Sequence, residues 1–325
     1  MTNRRDFIKN MSLITAGGVL AGVTGTSCSG GTATATAAAP KGNKVLGLQI
    51  YSLQQELYND LPKRMAELKE MGYVKLELSG YSAGKVGDVD MMEFKKMAED
   101  AGLKLVSSHV SPSIEGQQMF APFSYDDVPK LKEDWKFKTE EHQKLGCKFM
   151  IIPMFLPIMS MKTSDEVKQM SDYFNQLAEI NKQAGITFAY HNHNWEFNRV
   201  TTPGEQAGRN PFAPSGQQIQ DLMIEYTDPA LVSFELDVYW TVRGGNDPLE
   251  YLKKHANRIK ALHIKDTAVL GQSGLLNFEN IFNQMYANGI EDFFVELESV
   301  QALNITQFEG VKGCADFLQN ASFVK

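Results

Sequence analysis

SDEVKQMSDYFNQLAEINKQAGITFAYHNH, residues 164–193, reads as an amphipathic helix, a glycine stop and a short apolar strand, in that order. Val167, Met170, Phe174, Leu177 and Ile180 recur at three- and four-residue spacing with charged residues on the opposite face, the pattern of a helix laid on a core. Ala184-Gly185 ends it, because glycine takes the left-handed conformation that stops a helix. Ile186–His193 then runs apolar almost without a break, as a parallel strand covered on both faces must. It closes on His191-Asn192-His193, two histidines that alternation puts on one side of the strand.

The same unit recurs in both directions along the chain. Strand runs are expected at Val45–Ser52, Tyr73–Ser79, Leu103–Val110, Cys147–Met154, Ile186–His193, Leu231–Tyr239, Ile259–Asp266 and Asp292–Glu298. Met71-Gly72, Ala101-Gly102, Leu145-Gly146 and Asn288-Gly289 repeat the helix stop immediately before a strand. Eight such βα units predict an α/β chain folded as a (β/α)8 TIM barrel. A doubly wound open sheet is the alternative, but Gln49-Ile50-Tyr51-Ser52 stands where its glycine-rich phosphate loop would follow the first strand. Residues 201–217 form the one long irregular stretch, placed by order over the barrel mouth either as a lid or as a neutral insertion.

The first residues read as an address rather than fold. Asn3-Arg4-Arg5-Asp6-Phe7-Ile8-Lys9 looks like a twin-arginine export signal, followed by a weakly apolar run from Met11 to Gly25 that is too short to span a bilayer. Cys28-Ser29-Gly30-Gly31 resembles a bacterial lipoprotein cleavage site, with Gly25 where a leucine is usual. The expected organisation is a signal over 1–28, a linker over 29–43 and the barrel over 44–325. That makes the protein exported, periplasmic, and lipid-anchored to a membrane if Cys28 is modified; simple cleavage is the alternative. Three cysteines give no disulfide framework, and Cys147 and Cys314 read as buried thiols. A net charge of -7 lacks the basic face that nucleic acid requires.

In a barrel the chemistry sits where the strands end. Glu77, His109, His191, His193, Asp237, His263, Lys265, Asp266, Glu296 and Glu298 all fall there. Ionisable groups in apolar strands are costly unless paired or metal-bound, and a mixture of imidazoles and carboxylates suits a divalent ion such as Mn, Co, Zn, Fe or Mg. Plainer readings stand beside this one. Asp237 could cap a helix, and Glu296 or Glu298 could merely pair with Lys265. His142 and His255, among charged residues on helices, read as surface.

The segments Gly47-Leu48-Gln49-Ile50-Tyr51-Ser52, Leu76-Glu77-Leu78, Ser108-His109, Tyr190-His191-Asn192-His193, Leu236-Asp237-Val238-Tyr239-Trp240, His263-Ile264-Lys265-Asp266 and Val295-Glu296-Leu297-Glu298, in this order, resemble the xylose isomerase-like TIM-barrel family of sugar isomerases and epimerases. That family takes its metal ligands from strands five to eight as Glu, Asp, His and Glu. The resemblance implies Asp237, His263 and Glu296 as ligands, with His191 replacing the strand-five glutamate, one negative charge fewer. Trp240 stands where ketose epimerases carry a histidine. The implied chemistry is proton transfer beside a carbonyl through an enediolate, on a small sugar-like substrate. Glu296 would act as ligand and base, His109 or Lys265 as partner acid, and Glu77, His193, Glu196 and Trp240 would bind substrate. A lyase or dehydratase of a keto-sugar or keto-inositol would use the same enolate. A non-catalytic, membrane-anchored sugar-binding barrel would show a substituted metal set, whereas Asp237, His263 and Glu296 are all present. An apurinic endonuclease would need more than six histidines and a basic face.

Overall fold

The strand runs found in the sequence close into one parallel barrel. The computed structural model describes residues 44–113, 128–202 and 215–325. The barrel strands are β1 Leu46–Gln49, β2 Tyr73–Leu78, β3 Lys104–His109, β4 Phe149–Ile152, β5 Thr187–His191, β6 Val232–Asp237, β7 Ile259–Ile264 and β8 Asp292–Val295. They pair in chain order, and Leu48 of β1 opposite Val295 of β8 closes the ring. The eight strands form a closed ring, not a doubly wound open sheet. The export signal, the linker, Cys28 and most of the expected mouth insertion, residues 203–214, lie outside the described residues. Among the described residues no helix is long and apolar enough to cross a membrane.

The helices between the strands are α1 Leu61–Met71, α2 Met91–Asp100, α3 Val128–Leu145, α4 Ser164–Gln183, α5 Ile219–Tyr226, α6 Val238–Arg243, α7 Pro248–Lys254, α8 Phe278–Ala287 and α9 Gln307–Asn320. In α4, Val167, Met170, Phe174 and Leu177 are buried as their spacing demands, and Thr163 with Glu166 makes a reciprocal capping box at its start. The five predicted stops, Gly72, Gly102, Gly146, Gly185 and Gly289, all have positive φ, a region other residues enter at a cost. Gly47 serves a different need: a Cβ there would lie 2.1 Å from the carbonyl oxygen of Phe293 on the closing strand.

The strands stop two or three residues short of several predicted ends, and the reason is chemical. Beyond Gln49 the chain coils into a 3-10 helix, Ile50–Asn59, and beyond Asp237 it turns at once into α6. Polar residues at those points leave the ladder and aim at the barrel mouth. A small antiparallel sheet of Tyr81–Ser82, Lys85–Val86 and Val89–Asp90, which periodicity did not reveal, adds a wall at the same end. Cys147 and Cys314 are buried free thiols, pushed up to about 12 by burial.

Candidate metal centre and active site

Register decides which side chains meet at the mouth. Glu235 on β6 lies opposite His191 on β5, Asp237 opposite His263 on β7, and Glu77 on β2 opposite Gln49 on β1. The resulting cluster has two levels. The deeper one holds Glu77 and Glu235, the outer one Asp237 and Glu296, and the rings of His191 and His263 stand between them.

In the deeper level, Glu235 Oε2 is 3.0 Å from His109 Nε2, 3.1 Å from His191 Nδ1 and 3.2 Å from His263 Nε2. Glu77 Oε1 is 2.5 Å from His263 Nε2 and also accepts from Gln49, while Ser107 donates to Glu77 Oε2. Both carboxylates are completely buried. Burial, then the charge of Glu77, push Glu235 up to about 7. Glu77 feels the same burial, yet His109 and His263 outweigh it and hold the group below the usual carboxylate range.

In the outer level, Asp237 answers both readings of its sequence position. Its Oδ1 caps α6 by accepting from the Trp240 N–H at 2.7 Å, while its Oδ2 is buried with no hydrogen-bond partner. Burial pushes this carboxyl up to about 7, against the pull of Lys265. His191 Nε2 faces Asp237 Oδ2 across 4.0 Å, and His263 Nδ1 is 3.2 Å from Glu296 Oε2. One ligand atom each from His191, Asp237, His263 and Glu296 lies within 4.8 Å of the others, and the same holds for His109, His191, Glu235 and His263. An unpartnered, buried carboxylate oxygen amid imidazole and carboxylate donors fits a divalent cation.

Lys265 is fully buried and donates to Glu296 Oε2 at 2.8 Å and Glu298 Oε1 at 2.5 Å, with its ammonium 4.9 Å from the Trp240 ring centre. Burial alone would raise the Glu296 carboxyl, but Lys265 and then His263 override it and hold Glu296 ionised well below its usual range. His193 packs against Trp240 with ring centres 5.5 Å apart, and burial pushes it down to about 4, so it is neutral at pH 7. Above the cluster opens a cavity of about 690 Å³. His109, His191, His193, Glu296 and Glu298 form its base, and Tyr51, Tyr81 and Phe137 its wall.

The structure therefore gathers His109, His191, His193, Asp237, His263, Lys265 and Glu296, and corrects five readings. Glu77 is saturated by Gln49, Ser107 and the imidazoles and has no exposure, so it cannot reach substrate. Glu196 is equally enclosed: it accepts from the Tyr190 hydroxyl at 2.7 Å and the His193 N–H at 2.8 Å, shaping the turn after β5. His142 is not on the surface but fully buried between Lys138 and Ser108. His255 is largely enclosed beside Asp221, with 11% of its side chain exposed. Trp240 is half-buried with its face on Lys265, not free in the cavity. Sequence reading missed Glu235, although its signal was present: it has the parity of Asp237 in an apolar strand, one step deeper.

The family described as xylose isomerase-like TIM barrel matches residues 65–318. A sugar phosphate isomerase/epimerase crystal structure from Parabacteroides distasonis is 55% identical, over 87% of this chain and all of that one, with a TM-score of 0.80. A second from the same organism is 42% identical over 90% of this chain and 98% of that one, TM-score 0.79. Among curated proteins, inosose dehydratase from Geobacillus kaustophilus is 26% identical over 218 residues, 62% of this chain and 60% of that enzyme's length. With the closed eight-stranded barrel and the family match over most of its length, the chain belongs to the xylose isomerase-like TIM-barrel family.

Proposed function

We propose that the protein is a metal-dependent sugar isomerase or epimerase working through an enediolate, with His191, Asp237, His263 and Glu296 as the metal ligands. The carrying observation is the convergence of these four donors from the ends of four consecutive strands within 4.8 Å of one another, His191 and Glu296 lining the base of the cavity. The similarity to sugar phosphate isomerase/epimerases supports the reaction class. A divalent ion held there would polarise a carbonyl and its neighbouring hydroxyl, lowering the cost of the enediolate.

The chain's own groups supply the rest. Glu296 is ionised at neutral pH, because Lys265 and His263 outweigh its burial, so it can accept a proton from the carbon next to the carbonyl. Lys265 stays protonated: the carboxylates of Glu296 and Asp237 overcome the burial that would lower it, so it can stabilise oxyanion charge. His109 borders the cavity and is raised by Glu77 and Glu235 against its burial, which suits a proton donor. Neutral His193 offers a hydrogen bond to a hydroxyl.

Similarity to inosose dehydratases favours a second reading, a lyase or dehydratase. There the same proton is removed and His109 protonates a departing hydroxyl on the adjacent carbon. One experiment addresses both. Purified, metal-analysed protein is given keto-sugars and keto-inositols in deuterated water. Deuterium at the carbon beside the carbonyl with no loss of water supports isomerase or epimerase action, and a new double bond supports the lyase. Turnover without exchange would indicate a hydride shift and withdraw Glu296 as base. Glu296→Gln should lower kcat by several orders of magnitude, and its metal content separates a lost base from a lost ligand.

A further inference from the structure

We propose that Glu235 is the positioning residue of this centre: its carboxylate accepts a hydrogen bond from the Nδ1–H of His191, so that the Nε2 lone pair is presented to the position shared with Asp237. The inference rests on the metal-site reading above and adds a residue to it.

The argument starts from tautomers. A neutral imidazole carries one N–H and one lone pair, and its N–H goes to whichever nitrogen faces an acceptor. His191 Nδ1 has the Glu235 carboxylate at 3.1 Å. Its Nε2 faces Asp237 Oδ2 across 4.0 Å, beyond hydrogen-bond reach. With one acceptor in reach of the ring, the geometry puts the N–H at Nδ1, on Glu235, and leaves the lone pair at Nε2. Asp237 Oδ2, buried and unpartnered, is the acceptor atom facing that lone pair. The lone pair and the carboxylate oxygen thus face one point from two sides, an arrangement that a cation would join.

Strand geometry fixes the arrangement. Glu235 and His191 are Cα partners in the β5–β6 register, so the carboxylate sits directly beside the ring. Asn192 ties the same strands by accepting from the Asp237 N–H at 3.1 Å. The same Glu235 oxygen lies 3.0 Å from His109 Nε2 and 3.2 Å from His263 Nε2, so one carboxylate partners His109 and His191 and stands beside His263, whose Nε2 is 2.5 Å from Glu77. A carboxylate behind a metal-binding histidine fixes its tautomer, orients the ring and raises its basicity, and loss of such a partner lowers metal affinity about 10–100-fold.

The test uses the full chain, stripped of metal and titrated with Zn²⁺ against a chromogenic chelator, then with Co²⁺ for its visible absorption bands. Thermal unfolding confirms that each variant is folded. Glu235→Gln should weaken Zn²⁺ binding about 10–100-fold while keeping the cobalt bands, because the ligand atoms are unchanged. His191→Glu places a second carboxylate against Glu235, so it should cost more affinity in the parent than in the Glu235→Gln background. If Glu235→Gln does not fold, Glu235→Asp, which withdraws the carboxylate from His191 Nδ1 by one methylene, gives the same reading: weaker Zn²⁺ binding with the cobalt bands kept. Parent-like affinity in Glu235→Gln, or additive effects in the pair, overturn the proposal. So does the outcome in which Glu235→Gln shifts the cobalt bands and His109→Asn loses metal while Asp237→Asn keeps it, since Glu235 would then be a ligand. Absence of metal binding by the parent protein itself would overturn the proposed function together with this inference.

Discussion

His142 should make the protein acid-sensitive, and by an amount the structure defines. Its ring is fully buried, with Nδ1 2.7 Å from the Lys138 carbonyl and Nε2 3.0 Å from the Ser108 hydroxyl. A neutral imidazole satisfies both, donating from Nδ1 and accepting at Nε2. A protonated one would donate to Ser108 as well, its hydroxyl turning to accept, but would bury a charge beside Lys138. Burial, with the Lys138 charge, pushes the group down to about 4 from 6.5, the Lys138 carbonyl offsetting only part of this. The folded state thus binds the proton less readily than the unfolded chain. Nothing is lost above pH 6.5, the penalty grows as pH falls, and it is complete below about 4. The fall from 6.5 to about 4 corresponds to about 3 kcal/mol, of which about 2 kcal/mol has developed at pH 5. The perturbation is His142→Gln, which keeps a donor and an acceptor and does not titrate. Urea unfolding of parent and variant at pH 7.5, 6 and 5, at equal metal content, gives the stability gap. The parent should lead at pH 7.5, and the gap should shrink by about 2 kcal/mol by pH 5. Parallel curves would refute the reasoning and mean that water or a shifted ring hydrates the proton.

Lys265→Met keeps length and removes the charge between Glu296, Glu298 and Asp237; metal-free protein should lose about 3–5 kcal/mol, with a smaller loss once Zn²⁺ is bound, both read by denaturant unfolding. Gly47→Ala puts a Cβ 2.1 Å from the Phe293 carbonyl oxygen, so it should cost about 1–3 kcal/mol through backbone displacement at the barrel seam, visible as a lower urea midpoint; an unchanged midpoint would contradict this packing. For export, Arg4→Lys with Arg5→Lys should hold the protein in the cytoplasm on cell fractionation, and Cys28→Ala should release it from membranes. Membrane association that persists in the Cys28 variant removes the lipid anchor and leaves the enzyme reading intact.

Much of the site could be read from strand ends alone. His191, Asp237, His263 and Glu296 were identifiable because an ionisable residue closing an apolar run is expensive without a partner, and parallel strands send all such ends to one mouth. The reading failed where a side chain's partner is set by cross-strand register or by a turn, which alternation along one strand does not reveal. Glu77 and Glu196 looked like substrate contacts, but Gln49, Ser107 and Tyr190 consume their oxygens. His142 looked solvated among the charges of α3, while its own side of the helix faces Ser108. Glu235 was passed over because it lies inside its strand rather than at the end.

The sequence by itself determined the barrel, its eight strands and its glycine stops, because periodicity and φ > 0 positions are local properties of the chain. It also determined which end carries the chemistry. Only the tertiary structure decided that the imidazoles form a layer between two pairs of carboxylates, with one outer oxygen left free at Asp237. That outcome depends on register between strands, where a shift of one residue turns every side chain to the other face, and no local pattern encodes the register.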